Sequence, residues 1–128
     1  MILLDTSALL WFFTRDPRMG PASQEALRGS TSPVHFSAIS IVEFTIKEMI
    51  GKLQLMAPAA ESARRAGMRE LPFTADHAAG LEAFPALVRH DPFDRMLLAQ
   101  ARIEGMRLLT SDRVLLAAEP ELTIDARA

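Results

Sequence analysis

No cysteine occurs among the 128 residues, which excludes disulfides and any thiolate-held metal. No apolar run approaches the roughly eighteen residues of a membrane span, so no membrane association is expected. The start, Met1-Ile2-Leu3-Leu4-Asp5, lacks the basic opening and longer apolar stretch of a signal peptide. These absences together fit a cytoplasmic protein. There is no Gly-rich phosphate loop, no Gly-x-Ser-x-Gly elbow and no dinucleotide fingerprint. Internal repeats, low-complexity tracts and domain linkers are also missing, so residues 1–128 read as one domain. Lysine is scarce, with Lys47 and Lys52 set against twelve arginines, and the net charge is −2. That balance argues against a generally basic nucleic-acid binder. Arginine nevertheless suits phosphate, because its planar fork donates two parallel hydrogen bonds. If the acids gather at one site, the remaining surface is positive on balance.

What is present is an alternation of short apolar runs and helical patterns. Met1 to Leu4 has the continuous apolarity of a strand buried on both faces of a parallel sheet. A helix from Ala8 to Phe13 follows, with Thr6 or Ser7 as its expected cap. Ser23 to Arg28 forms a second helix closed by Gly29, and Val34 to Ser37 a second strand. Ser40 is expected to open a helix running to about Ile50, with Glu43 at the capping-box spacing. Pro58 starts a helix to Ala66, Arg69 to Pro72 is a third strand, and Thr74 caps a helix ending near Phe84. Asp91-Pro92 starts the most apolar helix, which Gly105 stops. Met106 to Leu109 is the fourth strand, Arg113 to Ala118 a short helix, and Leu122 to Ile124 a last edge strand. The order predicts a three-layer α/β/α fold around a mostly parallel sheet of four to five strands.

In such a sheet every strand ends on one edge, where ligands bind. Asp5 and Asp112 fall at strand ends, and Glu43 and Asp94 in the opening turns of helices, so all four can reach one pocket. Each acid has an ordinary reading when taken alone. Asp5 can cap a helix, Glu43 can close a capping box, Asp94 can answer the helix dipole, and Asp112 can form a turn. Asp91 is read as the cap of its helix, and Asp16, Asp76 and Asp125 as solvated. Jointly, four carboxylates within several ångströms resist ionisation unless a cation is present. Oxygen ligands without cysteine select Mg²⁺ or Mn²⁺ over zinc. His35, His77 and His90 lack the spacing of a metal-binding pair and read as structural or surface residues. A carboxylate-held divalent ion is a usual means of hydrolysing a phosphodiester. Two other classes compete: a phosphotransfer domain with Asp5 as nucleophile, and an RNA- or protein-binding module without turnover.

Four motifs carry a resemblance to a known family. They are Leu3-Leu4-Asp5-Thr6-Ser7, Ser37-Ala38-Ile39-Ser40-Ile41-Val42-Glu43, His90-Asp91-Pro92-Phe93-Asp94-Arg95-Met96-Leu97 and Leu109-Thr110-Ser111-Asp112. In this order they resemble the PIN (PilT N-terminal) domain ribonucleases, and in particular the VapC-type toxins of toxin–antitoxin pairs. The resemblance implies catalytic and metal-holding roles for Asp5, Glu43, Asp94 and Asp112, with Asp5 and Asp94 as the expected principal ligands. It implies Mg²⁺ or Mn²⁺ as cofactor, a cognate antitoxin and a homodimer, and a metal pocket at the sheet edge, which needs an accessible backbone, makes single-stranded or looped RNA the expected substrate. Thr6 and Ser111 match hydroxyl positions beside the metal, and Asp91 supports the site from behind. Arg95 and Arg113, next to the acids, are expected to hold RNA phosphates. Trp11, Phe12 and Phe13 offer an apolar surface for self-association.

Overall fold

A computed structural model describes residues 1–29 and 31–128. Five strands form one parallel sheet: β1 (Ile2–Leu4), β2 (Val34–Ser37), β3 (Arg69–Leu71), β4 (Arg107–Thr110) and β5 (Thr123–Asp125). Their spatial order is β3-β2-β1-β4-β5, with Leu3 opposite His35 on one side and Leu108 on the other. Seven α-helices are present among the described residues: α1 (Thr6–Thr14), α2 (Pro21–Gly29), α3 (Ala38–Met49), α4 (Ala59–Arg65), α5 (Ala75–Ala79), α6 (Pro92–Glu104) and α7 (Arg113–Ala118). None of these helices is long and apolar enough to cross a membrane.

Side chains alternate across a strand, and that alternation builds the three layers. Leu3 and Leu108 point to one face, where they meet Leu97, Leu98 and Ala101 of α6 and Leu115 of α7. Leu4, Phe36 and Leu109 point to the other, against Leu9 of α1, Phe44 of α3 and Ala63 of α4. Both faces of the sheet are thus covered, which is why the central strand β1 reads as an unbroken apolar run. The expected layer architecture and strand count hold.

Local chemistry fixes the ends of these elements. α6 starts at Pro92, whose missing N–H costs nothing there, with Asp91 accepting from Phe93 N–H at 2.8 Å. It stops at Gly105, whose φ of +67° suits only glycine comfortably. Gly20 meets a different demand: a Cβ there would lie 2.2 Å from the carbonyl oxygens of Arg127 and Ala128. Its N–H donates to Ala126, which ties the start of α2 to the residues beyond β5.

Three sequence expectations shift. Asp5, not Thr6 or Ser7, caps α1, because its carboxylate accepts from Ala8 N–H at 2.7 Å. Ser37, not Ser40, caps α3, so the helix begins earlier and Glu43 lies in its second turn, outside any capping box. The helix after Thr74 is short, with His77 completing the capping box, and 3-10 turns at Gly80–Ala83 and Pro85–Leu87 continue the chain.

Candidate metal centre

The sheet order changes direction between β1 and β4, because the chain leaves β1 toward β2 and β3 and later returns to β4 on the opposite side. A crevice opens at the C-terminal ends of strands at such a point. Asp5 follows β1 directly, and Asp112 follows β4 by two residues as the cap of α7. Asp94 enters from the first turn of α6, and Glu43 from α3.

Asp5 is the innermost acid, with only 3% of its surface exposed. One carboxylate oxygen accepts from Ala8 N–H and the other from the Thr110 hydroxyl at 2.5 Å. The Thr110 hydroxyl also accepts from Asp112 N–H at 3.0 Å, so one side chain positions both acids. Asp112 accepts in turn from Val114 and Leu115 N–H at the head of α7. Two engaged oxygens and near-complete burial make Asp5 a poor nucleophile for phosphate.

Electrostatics mark the crevice as short of positive charge. Burial, with the Glu43 and Asp112 charges behind it, pushes the Asp5 carboxyl up to about 6, against the pull of its two hydrogen bonds. Asp94 is pushed up to about 7, first by burial and then by the charges of Asp5, Asp91, Asp112 and Glu43. Among the described residues no lysine or arginine pairs with Asp5, Asp94 or Asp112, and Glu43 alone has such a partner, Lys47 at 2.8 Å. A divalent cation would relieve this excess of negative charge, and an oxygen-rich donor set suits Mg²⁺ or Mn²⁺. The residues present fit such an ion.

The tightest cluster differs from the expected one. Asp94 groups with Asp112 and His90, one donor atom from each lying within 4.8 Å of the others. His90 Nε2 lies 3.1 Å from Asp112 Oδ2 and 3.4 Å from Asp94 Oδ2. His90, read from the sequence as a structural or surface residue, thus lies one-fifth exposed beside two of the acids. A histidine four residues before Asp94 reaches it along the approach to α6, and Asp112 arrives from a distant segment. Only the first relation could be read from spacing. His77 is buried between Thr74 and Glu104, and His35 is buried on β2 with its imidazole held below its usual range by burial and then by Arg69; neither joins the site.

Other expected positions divide. Thr6 is buried and its hydroxyl meets that of Ser40 at 3.0 Å, joining the heads of α1 and α3. The hydroxyl that touches an acid belongs to Thr110 rather than Ser111, whose carbonyl accepts from Arg127 instead. Asp91 is an exposed cap whose charge still bears on Asp94. Arg113 is exposed beside Asp112. Arg95 is half-buried, and its Nε has no hydrogen-bond partner among the described residues.

The profile of the PIN domain family matches residues 2–119. A search of curated proteins returned no match. Several solved structures share the fold. A toxin–antitoxin complex from Klebsiella pneumoniae superposes with a TM-score of 0.68 at 17% identity, covering 98% of each chain. VapBC2 from Rickettsia felis, bound to a fragment of promoter DNA, gives 0.69 at 17% identity, covering 98% of this chain and 100% of that one. DNA-bound VapBC from Salmonella typhimurium gives 0.66 at 20% identity over 98% and 97%.

Proposed function

The chain belongs to the PIN domain family, and from that premise we propose that it is a Mg²⁺- or Mn²⁺-dependent endoribonuclease, the toxin of a toxin–antitoxin pair. The observation that carries the reading is the convergence of Asp5, Glu43, Asp94 and Asp112 at the β1/β4 crevice without a matching set of cations. Asp94 and Asp112 would hold the ion at the open side of the crevice. Asp5 and Glu43 would add charge from behind it, directly or through water.

When bound, the ion supplies Lewis acidity that eases deprotonation of water and offsets charge on the phosphate. The protein's own groups set the geometry. Thr110 holds Asp5 and the backbone of Asp112 in fixed relation, and the heads of α6 and α7 aim Asp94 and Asp112 at one point. Arg113 and Arg95, free of carboxylate partners among the described residues, are the cations available to flanking phosphates. A metal site at the edge of a sheet needs an accessible backbone, hence single-stranded or looped RNA. The solved relatives named above include complexes of toxin with antitoxin. By that likeness we assign this chain a cognate antitoxin.

The direct test is cleavage of a structured RNA pool by purified protein in the presence of Mn²⁺, Mg²⁺ or chelator. Wild type should cut only with metal, and Asp94→Asn should lose at least about a hundredfold in rate while keeping its fold. Cutting that persists in chelator would overturn the metal-dependent reading. A folded wild type that binds RNA but never cuts it would make the domain a binding module.

A further inference from the structure

The histidine at the crevice has no part in the four-carboxylate scheme, and its surroundings define a role. His90 sits between the 3-10 turn at Pro85–Leu87 and the cap of α6, with its N–H donating to the carbonyl of Leu87 at 2.9 Å. This anchors the backbone and leaves the imidazole one-fifth exposed, level with Asp94. Its Nε2 faces two carboxylate oxygens at once, at 3.1 and 3.4 Å. A ring nitrogen carries at most one hydrogen, so it cannot serve both oxygens with well-directed bonds. Adjacent ligands of an octahedral ion with bonds of about 2.1 Å stand about 3 Å apart. His90 Nε2 stands at close to that spacing from an oxygen of each acid, and all three donor atoms lie within 4.8 Å of one another.

We propose that His90 is a direct ligand of the divalent ion held by Asp94 and Asp112, so that the centre is a mixed nitrogen–oxygen site favouring Mn²⁺ over Mg²⁺. This rests on the metal-centre reading above and adds to it the ion's identity. Imidazole nitrogen suits transition ions, whereas Mg²⁺ keeps oxygen ligands and surrenders its water reluctantly. A neutral imidazole and two carboxylates also supply less negative charge than three carboxylates, which shifts selection from charge toward ligand type.

The test is pulsed electron paramagnetic resonance on Mn²⁺-loaded protein, with Mn²⁺ and Mg²⁺ affinities measured calorimetrically for wild type and His90→Asn. Wild type should show nitrogen modulation from a coordinated imidazole. The variant should lose it and bind Mn²⁺ about ten- to a hundredfold more weakly, with a much smaller change for Mg²⁺. Because the nitrogen signal is read on wild type, the test does not depend on the variant's folding. Mn²⁺ bound without nitrogen modulation would overturn the role of His90 and leave the carboxylate site standing. Nitrogen modulation that persists in a folded His90→Asn protein would likewise overturn it. A folded wild type that binds no Mn²⁺ would overturn both readings.

Discussion

At the scale of single residues, Asp5 and Asp94 carry an electrostatic strain that a metal would relieve. Both carboxyls titrate above the ordinary value of 3.8, at about 6 and about 7. A raised acid stabilises the fold while protonated, and that contribution is lost as pH rises through the folded value. Metal-free protein should therefore lose thermal stability between about pH 4 and pH 7, and saturating Mn²⁺ should restore it at pH 7.5. The helix dipole offers Asp94 only about 0.3–1 kcal/mol, less than its rise to about 7 implies even after generous allowance for solvent screening. It follows that metal-free Asp94→Asn should melt several degrees above metal-free wild type at pH 8, with the difference closing near pH 4. Scanning calorimetry across pH decides this, and a variant less stable than wild type at pH 8 would mean that the acid serves the helix rather than an ion.

Three of the four acids combine two roles that the sequence presents as alternatives. Asp5 and Asp112 are helix caps that also belong to the proposed site, and Asp94 sits in a helix's first turn with the charges of the other acids bearing on it. Capping a helix is compatible with a place in the proposed site, so the one reading does not exclude the other. His90 and Thr110 were less legible. Thr110 sits at the end of β4, and strand alternation alone does not say whether it or Ser111 turns toward Asp5. His90 acquires its meaning from Asp112, 22 residues away, and no local pattern encodes that contact.

At the scale of elements, α6 connects the site to the core. Its buried Gln100 bonds the Ser37 hydroxyl, and its amide donates to the Pro72 carbonyl at 3.2 Å, tying α6 to the ends of β2 and β3. Gln100→Leu strands these polar partners and should cost about 1–3 kcal/mol in urea unfolding. A change within error would mean that water replaces the amide. The cap at the other end of α6 behaves differently. Asp91→Ala should cost about 1 kcal/mol of stability and leave Mn²⁺ affinity within a few-fold, because Asp91 caps the helix outside the donor cluster. A collapse of Mn²⁺ affinity would instead make Asp91 a ligand. Element boundaries around α6 could be read closely, since Asp-Pro and Gly punctuate it. Those of α3 could not, because Ser37 and Ser40 compete as caps, and it is Ser37 that accepts from Ile39 N–H.

At the scale of the whole molecule, the layered fold and the parallel sheet follow from the alternation of strands with helices. The spatial order of strands does not, because right-handed crossovers permit more than one order. That order matters most here: β1 beside β4 is what brings Asp5 and Asp112 together. The closure beyond β5 was also hidden, since nothing near Gly20 in sequence announces the backbone that passes over it. Gly20→Ala should destabilise the fold by more than about 1 kcal/mol, because the new methyl meets backbone rather than a flexible side chain. Unchanged melting would show that this closure adjusts freely.

The central claim is that carboxylates from four separate segments form a binding site for one kind of ion. Isothermal titration of Mn²⁺ into metal-free protein at pH 7.5, for wild type beside Asp94→Asn, tests it most directly. Saturable binding to wild type, weakened at least about tenfold in a folded Asp94→Asn protein, is the predicted result. Equal binding by the two proteins, or none by a folded wild type, would contradict it.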